Sequence, residues 1–361
     1  MTEENISRRN ALKAAGAAGV AGMAGVAGCS DLFSSPDVTI ASTSSGSSSY
    51  ETGQALNYAA SEHDADVDIS IQTSEGWTAN LYAYEAGDFN TISVDNNSLS
   101  KAINEEADFE DDPVDEFPMQ GFIFTSLEMF IVKREGADLE TVQDLRDGDY
   151  DIYPIEPGFG TRLMTEEVLQ EAGIYDFDEE EGIENNNEIN NADTTDIAEI
   201  IEEQEIDAIV LYGQNGVSLA SWCDEVVTQN DLEMVETDEE FAQTIEELDG
   251  ASLLEASDPV ERYDIEEGID EGMEVAQWSL DGQWAFGSDV DPEHAYEIAE
   301  ICMDHYETMR ESDDSVFAYG DDPEIFTNAI LEDHPVHPGI VDFLKDEDLW
   351  NDDWEEGEID E

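Results

Sequence analysis

From residue 38 onward, apolar positions recur alternately at the period of strands and at the period of helices. Val38-Thr39-Ile40-Ala41 reads as a strand, followed by the serine- and glycine-rich stretch Ser42–Ser49 and a helix from about Tyr50 to His63. Ser48 and Glu51 stand at capping-box spacing, which predicts Ser48 as the helix cap. Val67, Ile69 and Ile71 then alternate strictly, a helical stretch covers about Thr78–Ala86, and a third strand runs from Phe89 to Val94. Strand, helix, strand, helix, strand predicts a parallel sheet with helices packed on its faces. Gly121–Val132 is an apolar run interrupted by Ser126 and Glu128, too long for one strand confined to a small sheet, and it predicts a segment crossing between two lobes.

A second unit follows the crossing. Tyr150–Ile155 reads as a strand, Pro157–Thr161 as a tight loop, and Arg162–Ala172 as a helix closed by Gly173, a residue that tolerates left-handed backbone. The acidic, Asn-rich residues Asp176–Asn191 suggest a surface excursion, after which Ile197, Ile200 and Ile201 mark a helix face and Ala208–Tyr212 a buried strand. Asp291 as N-cap with Pro292 in the first turn starts a late helix through Ile298 and Cys302. No internal repeat is evident.

Charge changes the picture. The chain holds 94 Asp and Glu against 11 Lys and Arg; without residues 1–28 the balance is 92 against 8, a net charge of −84. Nucleic acid and anionic headgroups are poor partners for such a surface. At molar salt the Debye length falls to about 3 Å and screens most of the self-repulsion, so the composition is that expected of an extreme halophile. Apolar residues still make up 40% of the chain, enough for a normal core beneath a solvated acidic surface; only the tail Asp346–Glu361 reads as locally disordered.

The first residues carry an address. Arg8 and Arg9 head a weakly apolar run ending in Val26-Ala27-Gly28-Cys29, a twin-arginine signal joined to a lipoprotein processing box. Fifteen small residues from Ala14 to Gly28 span only about 22 Å as a helix, short of the ~30 Å hydrocarbon core. The expected mature protein is exported folded and begins at Cys29, lipid-anchored at the outer face of the cytoplasmic membrane. The expected division is 1–28 signal, 29–37 tether, 38–128 with 277–361 as lobe 1, and 129–276 as lobe 2. Cys223 and Cys302 then fall in different lobes and are expected to be free, buried thiols.

Taken in order, the Ser-rich turn through Tyr50, the Thr73–Asn80 stretch, Ala86-Gly87-Asp88, Pro157-Gly158-Phe159-Gly160-Thr161 and His337-Pro338-Gly339 resemble the TAXI-type solute-binding proteins of TRAP transporters. The resemblance covers nearly all of the mature chain. It implies a type II periplasmic-binding-protein fold: two α/β lobes, two crossover segments, here near Leu127–Ile131 and Val275–Leu280, and a solute cleft between them. It implies no cofactor, and as partners a small organic acid or amino acid and a TRAP-type integral membrane permease. The sequence departs from the family where serines replace paired glycines in the first loop and where Phe159 stands between two glycines, so ligand identity does not carry over.

Elementary chemistry points to the same cleft. Ligands of open parallel sheets gather beyond the carboxyl ends of strands, where helix N-termini present unpaired N–H groups. Two loops fit. Ser44, Ser45, Gly46, Ser47, Ser48 and Tyr50 offer hydroxyls and close backbone approach in lobe 1; Gly158, Phe159, Gly160 and Thr161 offer N–H groups and a hydroxyl in lobe 2, with Gly121 expected outside the cleft. Ser74, Trp77, Asn80, Asp95, Asn96, Tyr212 and Gly213 lie at other strand ends, and Arg162 is a candidate carboxylate clamp or a surface salt bridge. An enzyme is the competing class, but the chain has no Gly-x-Ser-x-Gly, His-Glu-x-x-His or Walker loop. His334 and His337 are flanked by prolines and read as a rigid turn rather than a metal pair. Within the binding class, the alternative is the binding lipoprotein of an ABC importer, which shares the fold.

Overall fold

The computed structural model describes residues 36–359 apart from 46, 158, 178–182, 184 and 271; the twin-arginine run and Cys29 lie outside the described residues. In chain order the elements are β1 (Val38–Ala41), α1 (Ser48–Glu62), β2 (Ile69–Gln72), α2 (Trp77–Glu85), β3 (Thr91–Asp95), α3 (Asn96–Asn104) and a short α4 (Asp108–Asp111). Then come β4 (Met119–Arg134), α5 (Val142–Asp147), β5 (Asp151–Tyr153), α6 (Gly160–Glu171), β6 (Glu188–Ile189), α7 (Ile197–Glu202), β7 (Ala208–Gln214) and β8 (Ser218–Leu219). They continue with α8 (Ser221–Gln229), β9 (Leu232–Met234), α9 (Glu239–Glu247), β10 (Ser252–Ser257), α10 (Pro259–Arg262), β11 (Val275–Phe286), α11 (Pro292–Arg310) and α12 (Pro338–Asp346).

The strand order is β2-β1-β3-β11-β4-β7-β5-β6. β1, β2 and β3 run parallel, as do β5, β6 and β7; between them β11 is antiparallel to β3, β4 is antiparallel to β7, and β4 and β11 are antiparallel to each other. Two parallel α/β lobes therefore share two long strands, which is the type II periplasmic-binding-protein fold. The long apolar run is one 16-residue strand, and its partner β11 pairs with it from Trp278↔Met129 to Phe286↔Met119. Neither strand could belong to one lobe: β11 ladders with β3 through Gly282–Phe286 and with β10 through Val275–Ser279.

Four apolar clusters fill the lobes. In lobe 1, α1, α11 and α12 cover Phe122, Phe124 and Trp284, while Leu81 and Leu99 cover Val94 on the opposite face. In lobe 2, Met164 and Val168 of α6 cover Met129 and Trp278, and Val226 and Ile197 cover Phe130 and Leu211. Each such buried side chain contributes roughly 1.5–3 kcal/mol of transfer free energy.

Two expectations are corrected. The acidic tail is ordered against lobe 1: Leu349, Trp350 and Trp354 pack on its core, and the Gly357 N–H donates to the Val336 carbonyl at 2.8 Å. Apolar side chains spaced through an acidic segment were enough to anchor it. The Asp176–Asn191 stretch is likewise not only an excursion, because Glu188–Ile189 forms β6 beside β5, and buried Asn187 donates to the carbonyls of Leu145 and Ile174 at 2.7 and 2.9 Å. Cys223 and Cys302 are free and buried, in lobe 2 and lobe 1 respectively.

Candidate functional site

In lobe 1 the serine loop is the cap of α1. Ser47, in extended backbone, caps the helix by accepting from the Tyr50 N–H at 3.3 Å; Ser48 is the first helical residue, not the cap expected from its spacing to Glu51. The hydroxyls form a local chain, Thr43 Oγ1 to Ser49 Oγ at 3.0 Å and Ser49 Oγ to Ser47 Oγ at 3.2 Å. Ser44 and Ser45 are exposed and Tyr50 is half-buried, while Gly46 lies outside the described residues. The loop is tied to its neighbours: the Ser74 hydroxyl donates to the Ser42 carbonyl, and the Ser74 N–H to the Thr43 carbonyl at 3.2 Å. Asn80, fully buried, donates through Nδ2 to the carbonyls of Ser42 and Ser93 at 2.9 and 2.8 Å, fastening the ends of β1 and β3 together. Asp95 caps α3 by accepting from the Ser98 N–H at 2.8 Å, and burial raises its carboxyl above the ordinary range. Asn96 accepts from Gln283 Nε2 of β11 at 2.9 Å.

In lobe 2, α6 opens without a side-chain cap. Its N-cap Phe159 is extended and exposed, and the first N–H groups of Gly160 and Thr161 have no acceptor among the described residues. Thr161 is buried, and its Oγ1 has no partner among the described residues. Gly158 lies outside the described residues. Arg162 is neither on the surface nor unengaged. It is 4% exposed and donates to the Ile155 carbonyl at 2.7 Å, Asn191 Oδ1 at 3.0 Å and Glu166 Oε1 at 2.5 Å. Its guanidinium thereby fixes the loop leading to α6.

The two lobes bring helix starts over one strand. A Cβ at Gly282 of β11 would lie 3.3 Å from the Trp77 ring at the start of α2, and a Cβ at Gly160, the start of α6, would lie 3.4 Å from Leu280 Cδ2. Leu280 and Gly282 are two residues apart on one strand and so face the same side. Trp77 Nε1 and the hydroxyl of Thr125, which pairs with Gly282, are buried without partners among the described residues. Such groups are costly unless something bonds them. Tyr212 and Gly213 sit differently: Tyr212 packs edge-on against Trp222, its hydroxyl pushed up to about 12 by burial, and Gly213 gives room to the Tyr263 ring.

The opposite face of the crossing strands holds groups that sequence reading missed. Buried Asp281 accepts from Ser126 Oγ at 2.6 Å, Ser279 Oγ at 2.9 Å and Ser252 Oγ at 2.7 Å; burial raises its carboxyl although the three hydroxyls pull it down. Buried Glu128 receives both Nε and Nη2 of Arg262, each at 2.5 Å, and the Tyr263 hydroxyl. The interruption of the apolar run by Ser126 and Glu128 was the available signal. In a chain with 94 acids, nothing singled out Asp281.

Lys101 of lobe 1 and Glu167 of lobe 2 form an ion pair at a pocket of about 410 Å³ whose wall also includes Glu171 and Thr244. A larger pocket of about 690 Å³, beside Val217, Ser221 and Glu266, contains none of the helix-terminal residues above. His337 caps α12, its ring accepting from the Gly339 N–H at 3.3 Å, and His334 Nε2 meets the Pro118 carbonyl at 2.7 Å. Both rings are engaged by backbone. No helix among the described residues is long and apolar enough to cross a membrane.

The chain is similar at 13% identity to a TctC solute-binding protein from Polaromonas, over 77% of this chain and 88% of that one, with a TM-score of 0.44. It is similar at 14% identity to the periplasmic aliphatic sulphonate binding protein SsuA from Escherichia coli, over 85% and 82% of the two chains, with a TM-score of 0.39. No curated protein matches it in sequence. The sequence profile described as the NMT1-like family matches residues 40–347, well over half of the chain, and the chain belongs to the NMT1-like family.

Proposed function

We propose that the protein is an extracytoplasmic solute-binding protein that captures a small carboxylate-bearing metabolite by lobe closure and delivers it to a TRAP-type membrane permease. The observation that carries this reading is the placement of two helix starts from different lobes along one face of β11, Trp77 beside Gly282 and Gly160 beside Leu280. The uncapped start of α6 supplies N–H donors and the positive end of a helix dipole for an anion. The start of α1, joined to the Trp77 loop through Ser74 and Asn80, supplies hydroxyls for the solute's other end. The choice of a TRAP permease over an ABC importer rests on the sequence resemblance. Anchoring through Cys29 is part of the same reading, and Cys29→Ser should move the protein from the membrane to the soluble fraction.

The test is a thermal-shift screen of carboxylates and amino acids at molar salt, followed by calorimetry on Gly160→Val. Among the described residues the added Cβ meets Leu280 at 3.4 Å, an ordinary contact, so the fold should persist, yet the valine should weaken binding at least about tenfold by obstructing approach to the α6 N–H groups. Unchanged affinity in the folded variant would place the site elsewhere.

A further inference from the structure

The β7–β8 hairpin of lobe 2 turns at Asn215 and Gly216, with φ of 56° and 66°, values that an Asn-Gly pair accepts readily. Its tip rests on lobe 1. Gln214 Nε2 donates to Ser315 Oγ at 2.9 Å, and Asn215 Nδ2 donates to the Ser315 carbonyl at 2.7 Å. Asn215 is itself clamped to the crossing strand β4, its N–H donating to the Ser126 carbonyl at 2.9 Å and its Oδ1 accepting from the Ser126 N–H at 2.6 Å. On the lobe 1 side, the N–H and Oγ of Ser315 donate to Asp313 Oδ1 at 3.0 and 2.6 Å. The other Asp313 oxygen accepts from Thr52 Oγ1 at 3.0 Å, inside α1 behind the serine loop. Arg310 Nε closes the same segment onto the Val316 carbonyl at 2.7 Å.

We infer that Gln214, Asn215 and Ser315 form a latch that holds the lobes closed, with Asp313 and Thr52 connecting it to the helix whose N-terminus faces the solute. The inference rests on the lobe-closure reading above. Both ends of the latch are held by other groups: the donor Asn215 by the strand shared between lobes, and the acceptor Ser315 by its own loop. A rotation that carries the hairpin tip away from lobe 1 breaks both bonds to Ser315, while the bonds from Ser315 to Asp313 within lobe 1 can stay. The bonds across the latch join neutral groups, so molar salt does not screen them as it screens the Lys101–Glu167 pair. The latch therefore sets how much of the solute-free protein is already closed, and through that fraction the apparent affinity.

The experiment uses the full chain in a Cys29→Ser background, with spin labels on cysteines introduced at exposed Tyr58 of α1 and exposed Leu163 of α6; Cys223 and Cys302 are buried. Distance distributions are recorded at molar salt without solute for wild type, Gln214→Ala, Ser315→Ala and Asn215→Gly, the last keeping a residue that accepts positive φ. Each bond removed should raise the open-to-closed ratio about fivefold, seen as a growing long-distance population, whereas Ser315→Thr, which keeps the hydroxyl, should restore the wild-type distribution. Variants that melt like wild type and keep its distribution would overturn the latch. Citrate, succinate and L-aspartate added to wild type test lobe closure separately, so the latch and the closure reading can each fail alone.

Discussion

Arg162 Nη1 donates to the carbonyl of Ile155 at 2.7 Å, and Ile155 holds a backbone φ of 75°, a region that a β-branched residue enters only at a cost. The guanidinium stabilises a strained turn at the mouth of the α6 loop. Replacing Arg162 with Ala should cost about 3 kcal/mol, since it also leaves Glu166 and Asn191 without their donor. Arg162→Lys, which cannot reach three acceptors in a fork, should recover less than half of that in urea denaturation at molar salt.

Stability should fall as the pH drops from 6.5 towards 4. Burial holds the His337 imidazole down to about 4 in the folded chain and lowers His334 as well, so between those values the unfolded chain binds more protons. The His337 contribution is on the order of 3 kcal/mol. Asp281 and Asp95 act in the opposite sense, because carboxyls raised in the fold gain stability on protonation. His337→Asn keeps a capping acceptor and loses the titration. Its unfolding free energy should change less than that of wild type between pH 7 and pH 5.

Gly121, expected to lie outside the cleft, is closely packed within the crossing strands. A Cβ there would press on the Trp284 carbonyl and the Phe286 ring, inside the ladder between β4 and β11. Gly121→Ala should therefore destabilise by about 2 kcal/mol or more, while Gly160→Ala, with ordinary contact to Leu280, should melt within about 0.5 kcal/mol of wild type. Equal melting of the two variants would contradict this geometry.

Lowering salt from about 1 M to 0.1 M lengthens the Debye length from about 3 to 10 Å. With a net charge of −83 on the full chain, each surface acid then repels its neighbours over about 10 Å rather than 3 Å, and the domain should loosen or unfold. Circular dichroism that stays native through dialysis into dilute buffer would remove the halophile reading.

The architecture was legible because its signals are periodic. β4 announced itself by outrunning the length of a strand in one small sheet, and the Asp291-Pro292 start of α11 by its local chemistry. The site was legible only as loops. Ser47 and Ser48 differ by one position, and which of them caps α1 depends on the angle at which the chain leaves β1, a tertiary property. Arg162 looked like a clamp or a surface ion because its partners, Ile155, Asn191 and Glu166, are spread over 37 positions of sequence. Asp281 and Glu128 were hidden by composition: where acids are everywhere, a buried one gives no local signal. The tail was misread for the same reason, its two tryptophans outweighing the acids around them.

The crossing strands are not two separate tethers: they pair with each other from Trp278↔Met129 to Phe286↔Met119, with register shifts at Gly282/Gln283 and Trp284/Ala285. If the lobes turn as proposed, their joint is a paired ribbon of buried residues. It must yield by twisting along its length, since bending at one residue would break ladder bonds. Amides of Leu127 and Leu280 should consequently exchange with solvent about as slowly as those of either core, and a protease should cut the exposed loops well before it cuts the joint.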